Sequence, residues 1–348
     1  MTNPSRIAKG MYWDRAWSLV SGCTHVSPGC DNCWSAKETH MRANNPNAKV
    51  KARNEGLTDK GCFNGTVRLN WEFIGLPLQI KKPIVFAVWN DLFHEDVPDE
   101  FIARVWWVMG QSAGYLDPSR YRGHTFLILT KRPNRMREWL KGWTDQETRK
   151  RWIESFGELY DWMSGPKYWP NVLDDVWLGI TAENQPAADE RIPLLLQTPA
   201  AVRFISCEPL LGPVVLRKKA TCDSEILQAA LRDRMDEYSR PVERGIDWVV
   251  CGGESGSGAR PMHPDWARGL RDQCQAAGVP FFFKQWGEWV EPYQAQIPPE
   301  AYEKAEHINV LSKHHSQGVP NIQLRRVGKK KAGRLLDGRE WNEFPKNS

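Results

Sequence analysis

Seven short apolar runs recur along the chain, at Trp17–Val20, Ile84–Trp89, Phe126–Leu129, Val176–Ile180, Val202–Ile205, Trp248–Val250 and Val279–Phe283. Each is short enough to be a buried strand, and amphipathic stretches of helical period lie between them. Strand-then-helix alternation of this kind predicts an α/β fold built on a parallel sheet or barrel. Pro98-Asp99-Glu100 reads as the first turn of a helix, with Pro at N1 and acids at the positive end of the dipole. Phe101, Val105 and Met109 then recur at spacing four. Pro264-Asp265 opens a second helix that places Trp266, Leu270 and Cys274 on one face, with Gly278 as its stop.

Polar residues follow the runs at six places. They are Asn90-Asp91, Thr130-Lys131-Arg132, Thr181 with Glu183, Ser206-Cys207-Glu208, Gly252-Gly253-Glu254 and Lys284-Gln285. Parallel sheets bind ligands at the carboxyl ends of their strands, so these groups are expected to meet at one mouth. The plainer alternative is that strands end where polar residues begin. Lys131 and Arg132 suit a carboxylate or phosphate, or else a salt bridge to Glu183 or Glu208. Gly252 and Gly253 admit close approach of backbone amides to a ligand, or serve a tight turn alone. Glu254 could accept from an amino or hydroxyl group. Cys207 could donate hydrogen to a substrate radical, or simply be a small buried residue, and His94 reads as structural.

Composition narrows the picture. The 348 residues carry 47 Lys and Arg against 42 Asp and Glu, a net charge of +5, which permits an acidic partner without requiring one. No apolar run approaches the roughly 18 residues of a membrane span, and the first residues lack a signal-peptide pattern, so a cytoplasmic location is expected. Residues of about 135–172 (Trp-rich, helix-like) and about 216–243 (charged, helix-like) read as insertions in a domain of residues 1–289. Residues 290–348 read as a basic appendage, in which Lys329-Lys330-Lys331 with Arg325, Arg326, Arg334 and Arg339 are candidate phosphate contacts. Of 18 Trp, Trp89, Trp177 and Trp248 fall within strands and belong to a core, whereas Trp34, Trp286 and Trp289 are candidates for base stacking. No Walker loop, hydrolase elbow, His-Glu-x-x-His motif or heptad run is present.

The strongest signal is Cys23, Cys30 and Cys33, spaced C-x6-C-x2-C directly after the first run. Thiols clustered in a cytosolic chain are metal ligands before they are disulfides. The close pair can reach one centre from a tight turn, and Pro28-Gly29 supplies the reversal that brings the third. Three thiolates can hold a [4Fe–4S] cluster with one iron open. The same three with His25 or His40 would make a closed zinc site. The position of the cysteines, where a barrel mouth begins, favours iron–sulfur. Cys62, Cys222, Cys251 and Cys274 read as packing residues.

Gly22-Cys23 through Cys33-Trp34, Asp91-Leu92-Phe93-His94-Glu95, Leu129 through Pro133, Ser206 through Gly212, Gly252 through Gly256 and Phe283 through Gly287 form one pattern. It resembles the phage Gp37/Gp68 family, also called DUF5131 or three-Cys-motif, from about Trp13 to Trp289, with Gly328–Pro345 resembling its tail. That family in turn resembles the radical S-adenosylmethionine (AdoMet) superfamily. The resemblance implies a partial (βα)6 TIM-like barrel with helical insertions, and Cys23, Cys30 and Cys33 as ligands of a [4Fe–4S] cluster. It implies AdoMet as second cofactor, chelated at the open iron and cleaved reductively to a 5′-deoxyadenosyl radical, with electrons from an external donor. It further implies a phage protein made in the bacterial cytoplasm, acting on DNA or a modified nucleotide, as an isomerase in thymine hypermodification would. Asn90, Asp91, Thr130, Lys131, Thr181, Glu183, Ser206, Gly252, Gly253 and Glu254 are the candidate cofactor contacts, and Cys207, Lys131 and Glu208 the candidate catalytic groups. Two departures stand out. The first cysteine gap is three residues longer than the superfamily's, and Gly-Gly-Glu follows the sixth strand instead of the second. The other readings are a zinc-stabilised, non-catalytic nucleic-acid binder and a radical enzyme of small-molecule metabolism.

Overall fold

The structure, a computed structural model, describes residues 2–115, 119, 121–155, 170–216, 234–235, 241–243, 245–294, 298–310 and 322–345. Six of the seven predicted runs form strands of one parallel sheet, and the first run shares only Trp17 with the remaining strand: β1 (Arg15–Trp17), β2 (Val85–Val88), β3 (Thr125–Thr130), β4 (Val176–Thr181), β5 (Val202–Cys207), β6 (Trp248–Gly252) and β7 (Phe281–Gln285). Their order in the sheet is their order in the chain. The sheet is curled into a half-barrel, and every residue of β4 and of β6 is buried. The first run is shorter than its apolar stretch. The chain leaves the sheet after Trp17, and Val20–Ser21 pairs antiparallel with Arg68–Leu69 instead.

The chain divides into two compact units: Met1–Val26, Ser35–Ile180 and Leu194–Arg203 in the first, and Ser27–Trp34, Thr181–Pro193 and Phe204–Ser348 in the second. The first unit carries α1 (from Trp34 to Ala43), α2 (Asp99–Ser112), α3 (Pro133–Thr144) and α4 (Gln146–Glu154). Pro98 is the N-cap of α2 and not its N1 residue. Its ψ of 148° is extended, and Asp99 and Glu100 fill the first turn in its place. Phe101, Val105 and Met109 are buried as their spacing predicts, but so are Ile102, Trp106 and Trp107, so α2 is buried well beyond a single stripe. Much of the Trp excess is spent here. Trp139 stacks against Trp143 (5.5 Å) and Trp152 (5.2 Å) and meets Trp106 at 5.0 Å. Such pairs add about 0.5–1.5 kcal/mol each beyond area burial. The helical reading of about 135–172 holds through α3 and α4, while 156–169 lie outside the described residues.

In the second unit, α5 (Gln185–Leu196, its last turn in the first unit) precedes β5, and α6 (Pro264–Ala277) lies between β6 and β7. His263 caps α6, accepting from the Asp265 amide, and Gly278 ends it in the left-handed region at φ 69°. Leu270 and Cys274 are buried, whereas Trp266 is only half-buried. Within about 216–243, Arg234–Met235 and Pro241–Glu243 pair as strands where helix was expected, and 217–233 and 236–240, including Cys222, lie outside the described residues. The C-terminal residues fold back on the second unit. Phe282 bridges Asn342, the Phe283 amide donates to Trp341 O (2.9 Å), and Trp248 Nε1 donates to Glu343 O (2.9 Å). A three-stranded sheet of β8 (Trp289–Val290), β9 (His307–Val310) and β10 (Ile322–Arg326) joins them.

Candidate metal and cofactor site

In the first unit Gly22 sets the entry to Cys23. Its φ is +89°, and a Cβ there would lie 1.9 Å from the Thr66 carbonyl oxygen, so only glycine fits. Asn90, also left-handed at φ 61°, donates to Val20 O (3.0 Å) and accepts from the Ser35 hydroxyl (2.6 Å). Asp91, nearly buried, accepts from Thr130 Oγ1 (2.6 Å), the Arg132 guanidinium (2.9 Å), the Phe93 amide (3.1 Å) and the Lys131 amide (3.3 Å). Arg132 also pairs with Glu95 (2.6 Å), donates to Thr24 Oγ1, and lies 3.8 Å from Cys23 Sγ. Burial works against the Arg132 charge, but Asp91, Cys23 and Glu95 outweigh it and hold the guanidinium above the ordinary arginine value.

His94 Nδ1 accepts from the Asp96 amide (3.1 Å), which leaves the proton on Nε2, 2.9 Å from Thr24 Oγ1. Burial first, and then the Arg132 charge, push the His94 pKa below its usual value. The imidazole is therefore a neutral prop for Thr24. In the second unit Glu183 is fully buried on Arg191 (2.9 Å), and Glu208 is paired with Lys284 (2.8 Å).

In the second unit Cys30 ends a 3-10 turn, Pro28–Cys30, and the Cys33 amide donates to Cys30 O (3.2 Å). Glu254 accepts four hydrogen bonds: from Arg260 Nη2 (2.6 Å), Nε (3.0 Å) and amide (2.8 Å), and from Asn32 Nδ2 (3.0 Å). Arg260 also reaches the Asp31 carboxylate (3.0 Å) and Pro28 O (2.8 Å). The Glu254 bond foremost, and Asp31 besides, raise its pKa further.

Gly253 has a packing reason to be glycine. An added Cβ would lie 1.8 Å from the Trp286 carbonyl oxygen, and Gly287 is equally tight against Glu254 O. At Gly252 a Cβ would meet Glu208 Oε1 at 3.0 Å. Ser206 donates to Glu208 (3.2 Å), so Ser206, Glu208, Gly252 and Lys284 come together at the ends of β5, β6 and β7. Thr181 is buried, and its carbonyl accepts from Arg191 (2.9 Å). Cys207 is fully buried, and burial raises its pKa well above the usual thiol value. Cys251 and Cys274 are buried likewise, whereas Cys62 is exposed.

The structure thus gathers Asp91 with Thr130 in the first unit and Ser206 with Glu208 and Gly252 in the second, and gives Glu183 and Thr181 to Arg191. Sequence reading missed Arg260 and the role of Asn32. Asn32 lay in plain view inside the C-x-x-C pair. Arg260 had no local signal, because the turn at Gly256 and Gly258 that returns it to Glu254 shows only in three dimensions. Trp34 is exposed, but Trp286 and Trp289 are buried, with their ring N–H groups on Leu335 O and Ala259 O (2.7 Å each), and cannot stack on bases. The tail arginines are likewise engaged within the protein. Arg334 pairs with Glu340 (2.6 Å), Arg325 caps Glu303 O and Ala305 O, and Arg339 lies 3.6 Å over the Trp341 ring.

Cys23, Cys30 and Cys33 are all half-buried and in no disulfide. Among the described residues, no three His, Cys, Asp or Glu side chains are gathered as ligands of a single metal ion. Nor is any helix among them long and apolar enough to cross a membrane. A family model described as a protein of unknown function, DUF5131, matches residues 8–345. No curated protein and no solved structure matches the chain.

Proposed function

The chain belongs to the DUF5131 family, and from its own side chains we propose that it is a radical AdoMet enzyme acting on a nucleobase. Cys23, Cys30 and Cys33 hold a [4Fe–4S] cluster, the seven-stranded sheet is a partial TIM-like barrel, and the substrate is DNA or a modified nucleotide. The most concrete version is an isomerase that rearranges a carbon–nitrogen linkage on a hypermodified thymine in phage DNA. The observation that carries this reading is a set of three half-buried cysteines, none in a disulfide, on a C-x6-C-x2-C segment that follows β1 of a parallel sheet. The donor set suits the cluster in its chemistry: soft thiolates from a tight turn, one of them beside a fixed cation. When bound and reduced, such a cluster supplies the electron that cleaves the AdoMet sulfonium.

The chain's own residues bind and orient. Arg132, held by Asp91 and Glu95, stabilises the thiolate form of Cys23. Asn32 and Arg260 hold the segment that carries Cys30 and Cys33. Glu208 and Lys284, half-buried at the ends of β5 and β7, offer an acceptor and a donor to the amino-acid end of AdoMet.

Turnover is the test of the substrate. The anaerobic, reduced protein with AdoMet is expected to convert amino-acid-decorated thymine in DNA to an isomer of equal mass. Conversion of free metabolites, with modified DNA neither bound nor converted, would overturn the nucleobase assignment.

A further inference from the structure

The loop bearing Cys30 and Cys33 is clamped at three of its residues by one arginine–glutamate unit. Arg260 takes Pro28 O and the Asp31 carboxylate, and Glu254 takes the Asn32 amide. Asn32 Nδ2 also donates to Gly258 O (2.9 Å), and a Cβ at Gly258 would lie 2.9 Å from Asn32 Oδ1. Gly258 also sits at φ +78°, in the left-handed region that favours glycine, which is an observation independent of the ion pair. The clamp is itself fixed to the strand ends. Gly253 and Gly287 interlock too closely for any side chain, the Glu288 amide donates to Glu254 O (3.1 Å), and Trp289 Nε1 donates to Ala259 O (2.7 Å). Glu254 is nearly buried, so the carboxylate is strongly bound to its two partners and not merely screened at a surface.

We propose that Glu254, Arg260 and Asn32 are positioning residues that fold the Cys30–Cys33 turn before any metal arrives, and that Glu254 serves the cysteine loop and not a bound ligand directly. A preformed turn spares the metal the entropy of ordering the loop, which is what preorganisation contributes to binding. Arg260 performs this through its fork. One edge lies on Glu254 while the remaining nitrogen reaches Asp31, a geometry that a lysine ammonium cannot reproduce. The proposal rests on Cys30 and Cys33 being ligands, but it holds equally for iron–sulfur and for zinc.

The test reads thiol presentation and uses the metal-free full chain. Phenylarsine oxide condenses with two thiols held together, forming two As–S bonds and releasing one water. Mass mapping reports whether Cys30 and Cys33 are the pair bridged, and exposed Cys62 reports single-thiol reactivity. Arg260→Ala is expected to weaken bridging of this pair by about tenfold or more, the scale of a lost charge-assisted bond. Arg260→Lys should fail to restore it, and Asn32→Ala should weaken it several-fold with Cys62 unchanged. Unchanged bridging in a folded Arg260→Ala, or full rescue by Arg260→Lys, would overturn the proposal. If Arg260→Ala does not fold, Asn32→Ala decides, and wild-type bridging in that variant overturns it. Weak AdoMet turnover with intact bridging in the wild type would count against the radical-enzyme reading and leave the clamp standing.

Discussion

Arg132 and Asp91 form an ion pair with both partners nearly out of water. Removing one leaves the other charged and buried, so Arg132→Ala is expected to cost about 3–5 kcal/mol in denaturant unfolding. Glu95, whose side chain is largely exposed, should cost no more than about 1 kcal/mol when cut to Ala. Equal losses in Arg132→Ala and Glu95→Ala would contradict this division. His94 gives the pH dependence. Burial holds its folded pKa below that of the unfolded chain, so the unfolded state takes up the proton first as pH falls below about 6.5. Stability present at neutral pH is therefore lost on acidification until the folded imidazole is protonated too. His124 and His263 are shifted the same way by burial, so His94→Gln should flatten the melting-temperature profile between about pH 7 and 5 without abolishing its slope. These pairings were only half visible in the sequence. Asp91, Arg132 and His94 stood out as residues, but whether Arg132 met Glu183, Glu208 or Asp91 depended on where separate strands end.

Six of the seven strands were legible because buried parallel strands write themselves as continuous apolar runs. Helix boundaries were legible where Pro and Gly carry them, as at Pro264 and Gly278, and slipped by one residue at Pro98, where the fixed proline φ suits a cap as well as a first turn. Glycine roles were not legible, since a close approach involves a distant backbone. Gly253→Ala pushes a methyl into the Trp286 carbonyl and should cost at least the upper end of about 1–3 kcal/mol. Gly269, within α6, has nothing near its missing Cβ, so Gly269→Ala should stabilise by about 0.5–1 kcal/mol. Thermal melts of the two variants, moving in opposite directions, check the contrast; a neutral Gly253→Ala would mean that the β6 and β7 ends are not interlocked.

At the scale of the whole chain, composition suggested a basic tail and a surplus of stacking tryptophans; Lys329, Lys330, Lys331 and Trp34 remain exposed, while other members of both sets have partners within the protein. The surplus fills the core beneath α2, α3 and α4, and the tail arginines bind backbone carbonyls, carboxylates and a Trp ring of the protein itself. Bulk composition counts side chains without their neighbours, which is why it says little of what each one meets. The cysteine segment is different, because its spacing alone confines the thiols to one stretch of chain. Its metal is thus the most direct test of the account. Iron, sulfide and zinc should be measured on anaerobically purified protein, with the visible spectrum and the fate of AdoMet under dithionite. The account predicts about four irons per chain, broad visible absorption, 5′-deoxyadenosine formation, and loss of all three in Cys30→Ala. About one tightly held zinc, no colour and intact AdoMet would contradict it.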